Sequence, residues 1–89
     1  MATKVQKNIL SRLYKAQRSL LNKSGHKLTL EIITSSTVSY GLPYIATYIH
    51  EWDKGNHKQC KSAFFWASTT QEQAEEELAI ISGVAGFTI

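Results

Sequence analysis

The stretch that decides the fold runs from Tyr44 to Ala67, YIATYIHEWDKGNHKQCKSAFFWA. Two runs rich in β-branched and aromatic residues, Tyr44–Trp52 and Lys58–Ala67, flank the triplet Asp53-Lys54-Gly55. Such runs pack well on a pleated surface, and a glycine-bearing turn between them predicts a β-hairpin. The turn also sets the register. A three-residue loop closing on a Gly55 bulge is preferred, because Asp, Lys, Gly in that order suits it. Trp52 then opposes Asn56, Tyr48 opposes Cys60 and Tyr44 opposes Phe64. On this reading Tyr44, Ala46, Tyr48, Cys60, Ser62, Phe64 and Trp66 form the buried face. Ile45, Thr47, Ile49, Glu51, His57, Gln59, Lys61 and Phe65 form the open one. A two-residue loop at Lys54-Gly55 is the alternative, and it would shift the pairing by one residue.

Upstream, His26–Thr34 alternates, with Leu28, Leu30 and Ile32 on one side and Thr29, Glu31 and Ile33 on the other, as in a half-buried strand. Ser35–Pro43 is small and polar, then Gly41 and Pro43, which predicts a loop. Thr3–Asn22 reads as a helix: Thr3 and Gln6 have capping-box spacing, and Gly25 stands where a stop belongs. Its apolar residues, Val5, Ile9, Leu10, Leu13, Tyr14, Ala16, Leu20 and Leu21, fill one broad half. Downstream, Ser68-Thr69-Thr70 caps a second helix, with Thr69 and Glu72 at capping-box spacing. Ala74, Leu78 and Ile81 make its apolar stripe, and Gly83 is the expected end. The apolar tail Val84–Ile89 is expected to add a short edge strand or cover an apolar patch.

Together these elements predict one α+β domain over residues 1–89. It has two layers in the order α-β-β-β-α: a three-stranded antiparallel meander sheet packed on one face by two helices. The 43% hydrophobic content argues against a disordered chain. One cysteine, Cys60, rules out an internal disulfide framework. With no signal-peptide stretch or membrane-span-length apolar run, the expected setting is cytoplasmic, without membrane partners.

Chemistry is sparse. His57 and Cys60 lie an odd number of residues apart in one strand, so His50, His57 and Cys60 cannot converge on a metal. No orienting acid or oxyanion donors can be assigned to Cys60, and the glycines form no phosphate loop. The chain is therefore expected to be non-enzymatic, with no catalytic residues, metal or cofactor.

Two surfaces remain. Residues before Glu31 carry Lys4, Lys7, Arg12, Lys15, Arg18, Lys23 and Lys27 and no acid. Lys4, Lys7, Lys15 and Arg18 fall on the polar side of the first helix, where they could track nucleic-acid phosphates without sequence preference; a solvated face is the plainer alternative. The uncovered sheet face is the second. With Ile33, Ile45, Ile49, Lys61 and Phe65 on it, it would serve a protein partner or a homodimer.

The element order resembles the double-stranded-RNA-binding domain. That likeness implies RNA contact through Lys4, Lys7, Lys15, Arg18 and the loop Ser35–Tyr40. The family's lysine cluster at the start of its last helix is replaced here by Thr70-Gln71-Glu72-Gln73. The run Phe64–Ala74 is also similar to the strand-to-helix junction of integrase arm-binding domains, which implies DNA reading by a sheet face.

Overall fold

The structure is a computed structural model and describes residues 3–34 and 44–89. Its elements are α1 (Lys4–Lys23), β1 (Leu28–Thr34), β2 (Tyr44–Asp53), β3 (Asn56–Trp66) and α2 (Gln71–Ala85), with the strands in the order β1-β2-β3, antiparallel throughout. This is the expected α+β meander with two helices on one side. The expected loop at 35–43 lies outside the described residues.

Helix α1 begins where its caps direct. Thr3 accepts from the Gln6 backbone N–H at 3.0 Å, and Gln6 Oε1 accepts from the Thr3 N–H at 3.1 Å. It ends in a Schellman turn: His26 N–H reaches the Leu21 carbonyl and Gly25 N–H that of Asn22, with Gly25 at φ +62. The cap of α2 sits one residue later than expected, with Thr70 and Gln73 making the reciprocal pair. Gly83 does not stop α2; Gly86, at φ +82, does. Glycine at the earlier site costs helix propensity, but only the later one adopts the left-handed geometry a cap needs.

The hairpin corrects the expected register. Lys54 and Gly55 both have positive φ (52° and 83°), so the turn is the two-residue alternative and Asp53 opposes Asn56. Pairing then slips once more at Cys60: His50 opposes Gln59, but Ile49 opposes Lys61. The two shifts add to two residues, so beyond Cys60 the original parity of faces returns, while His57 moves to the face of Trp52 and Tyr44.

Which face is buried is the larger correction. The helices cover Ile45, Thr47, Ile49, Ala63 and Phe65, all buried, with Phe65, Ile45 and Ile49 at 0% exposure. Tyr44, Tyr48, Phe64 and Trp66, expected inside, lie on the uncovered face, as Phe64 at 42% and Trp66 at 53% show. Cys60, also expected inside, is exposed at the bulge. The reason lies in β1, which opposes Leu30 to Ile49 and Thr34 to Ile45, so the aliphatic side of β1 recruits the aliphatic side of β2. Tyrosine, tryptophan and histidine carry polar tips that favour the wet side.

The core joins Ile9, Leu13, Ala16 and Leu20 of α1, Leu30, Ile45, Ile49, Ala63 and Phe65 of the sheet, and Ala74, Leu78, Ile81 and Ala85 of α2. Thr47 is buried among them and donates to the Glu31 carbonyl at 2.9 Å. The tail adds no strand. Ile89 is buried against the core, its N–H held by Ser82 Oγ at 2.8 Å.

Candidate binding surfaces

On α1 the buried residues Gln6, Ile9, Leu13, Ala16 and Leu20 fix which side meets the sheet. Lys4, Lys7, Lys15 and Arg18 lie within roughly 80° of one another on the opposite side, at about 100° per residue. All four are exposed, and none makes an ion pair or side-chain hydrogen bond among the described residues. At about 1.5 Å per residue they span roughly 21 Å of helix. The other two α1 cations are occupied. Arg12 binds Glu75 through both nitrogens and donates to the Ile89 carbonyl at 2.7 Å, tying α1 to α2 and the tail. Its guanidinium holds the Glu75 carboxyl below the usual carboxylate range, partly offset by desolvation, with Gln71 adding to the lowering. Lys23 donates to the Gly86 carbonyl and sits over the Phe87 ring.

Of the five residues expected to form a protein interface, four share one side of the sheet, but it is the side that the helices cover. Ile45, Ile49 and Phe65 are core, and Lys61, opposite Ile49, follows their side of the sheet. Only Ile33, 39% exposed and opposite Ala46, is on the uncovered face.

That face carries a continuous belt of rings. Trp66 stacks with Phe64 (centroids 6.0 Å), Tyr44 lies against both, and Phe64 meets Tyr48 edge-on at 6.1 Å. Tyr48 continues to His50 at 6.2 Å, His50 to His57 at 5.2 Å and His57 to Trp52 at 4.5 Å. Some of the polar tips are bonded to one another within the face. Trp52 Nε1 donates to Thr29 Oγ1 at 2.8 Å, and His50 Nε2 lies 3.0 Å from Glu31 Oε1, while His50 Nδ1 is buried and has no partner among the described residues. By register the described strand residues of this face are Thr29, Glu31, Ile33, Tyr44, Ala46, Tyr48, His50, Trp52, His57, Gln59, Ser62, Phe64 and Trp66, with no lysine or arginine among them; Lys27, just before β1, accepts the Trp52 backbone N–H at 2.8 Å through its carbonyl at one end. Glu76 and Glu77 of α2 flank the Phe64–Trp66 end. Alternation in the sequence groups Tyr44, Tyr48, Phe64 and Trp66 on one face but puts that face inside; the signal it leaves unweighed is that every ring of β2 (Tyr44, Tyr48, His50 and Trp52) falls at an even position and carries a polar tip.

Among the described residues there is no group of three histidine, cysteine or acidic side chains that could hold a metal, and no helix long and apolar enough to cross a membrane. Compared with known proteins, the chain matches no family model, no curated protein and no solved structure.

Proposed function

We propose that the chain is a non-catalytic binding domain that holds a nucleic-acid phosphate backbone along the outer stripe of α1, without sequence preference. One observation carries the reading: Lys4, Lys7, Lys15 and Arg18 are exposed, of one sign and without an ion pair among the described residues, on a single side of the helix. A face that served only to keep the domain in solution would mix both signs. The first turn of α1 holds no acid, and Lys4 opposes the positive end of the helix dipole, so the charge is placed at some local cost to the helix. Phosphate contacts of this kind supply affinity and orientation but no sequence information.

The test is salt dependence. Each phosphate neutralised contributes a slope of about −0.9 in log affinity against log salt on a B-form duplex, so three or four contacts weaken binding roughly 40- to 150-fold between about 50 and 200 mM salt. Anisotropy of a labelled duplex should follow that slope, and Lys7→Ala with Lys15→Ala should flatten it by about two units with the circular dichroism unchanged. A wild-type protein that retains no duplex at the lower salt ends the reading.

A further inference from the structure

We infer that Tyr14 makes the α1 stripe a site for unpaired nucleotides, its ring stacking one base while Lys7 and Arg18 hold the phosphates on either side. The inference rests on the phosphate reading of that stripe and names the form of nucleic acid it takes. The sequence places Tyr14 with the apolar half of the helix, but the structure leaves it 55% exposed, the most open of the large hydrophobic side chains among the described residues. Its hydroxyl makes no hydrogen bond and its ring meets no other ring among them. At about 100° per residue the ring stands roughly 20° around the helix from Lys7 and roughly 40° from Arg18. At about 1.5 Å per residue, Lys7 precedes it by roughly 10 Å and Arg18 follows by roughly 6 Å.

The surroundings of the ring suit a polyanion. Helix α1 contains no acid. Arg12, which ties α1 to Glu75, points about 160° away from Tyr14, so α2 and its carboxylates lie on the other flank of the helix. A ring set among cations on an open surface is what single-strand platforms use: the cations follow the backbone, and any base can lay its π-face on the ring. A duplex cannot use Tyr14 in this way. Its bases are stacked on one another, and freeing one costs unstacking and unpairing energy, so a duplex offers the stripe phosphates alone. The sheet face has more rings, but carboxylates stand beside them: Glu31 on the face, and Glu76 and Glu77 at the Phe64–Trp66 end. Among the exposed rings it is Tyr14 that shares a helix face with Lys7 and Arg18.

Anisotropy of a labelled thymidine oligonucleotide and of a labelled blunt duplex, both at about 50 mM salt, separates the ring from the charge. Tyr14→Ala should weaken the thymidine strand roughly 5- to 150-fold, the loss of one stacked base, and leave the duplex unchanged. Tyr14→Leu, apolar but without a ring, should lose as much, whereas Tyr14→Phe should bind the strand as the wild type does. An abasic strand of the same length, with phosphates and no bases, should bind wild type and Tyr14→Ala alike. The salt slope for the thymidine strand should also be the same in both, since a ring releases no counterion. Circular dichroism should be unchanged, because Tyr14 stands outside the core. Equal weakening of strand and duplex, or a Tyr14→Ala variant that holds the strand as the wild type does, overturns the inference and leaves the phosphate reading standing. A wild type that holds neither ligand overturns both.

Discussion

Phe64 and Phe65 are neighbours of identical chemistry, yet one is 42% exposed and the other fully buried. Nothing in either side chain decides this. Pairing does: Phe65 opposes Ile45 and Phe64 opposes Ala46, and the helices sit on the Ile45 side. Truncating them should therefore give very different losses. Phe65→Ala empties a site ringed by core residues and should cost about 3–5 kcal/mol. That is a large share of the roughly 5–13 kcal/mol available to a domain of this size. Phe64→Ala forfeits ring contacts with Tyr44, Tyr48 and Trp66 and should cost about 1 kcal/mol. Urea unfolding of both variants at low protein concentration measures the two values, and a reversed ranking would mean that the helices cover the other side.

Elements were legible to different depths. The ends of α1 could be read from Thr3, Gln6 and Gly25 because capping is local chemistry, settled within a turn. The cationic stripe was legible too, since it needs only the helical period and the positions of Ile9, Leu13 and Leu20. The burial of the hairpin was not. Both of its faces are apolar by residue type, so alternation separates two sets without saying which is inside. The answer rests on β1, where Leu30 and Ile32 choose their partners across the strand, and on a slip at Cys60 that no residue type announces. One element also invites a direct test of purpose. Lys4 sits in the first turn of α1, where a negative charge would suit the helix dipole better by about 0.3–1 kcal/mol. Lys4→Glu should thus raise the melting temperature by roughly 1–8 °C for a chain this small. The same change should weaken duplex binding and reduce its salt slope by about one. A variant that is more stable and binds as before would make the stripe a solvated face only.

At the scale of the whole molecule, the two surfaces lie on opposite sides of a slab whose smallest dimension is 17 Å. The ring belt faces one way from the sheet, and the α1 stripe faces the other way from the helical layer. A duplex held on α1 should therefore be indifferent to the belt. In an anisotropy titration Phe64→Ala should leave duplex affinity and its salt slope unchanged, while Lys7→Ala with Lys15→Ala should lower both, the slope by about two. A Phe64→Ala variant that binds duplex more weakly would place the contact on the sheet face rather than on the outer side of α1.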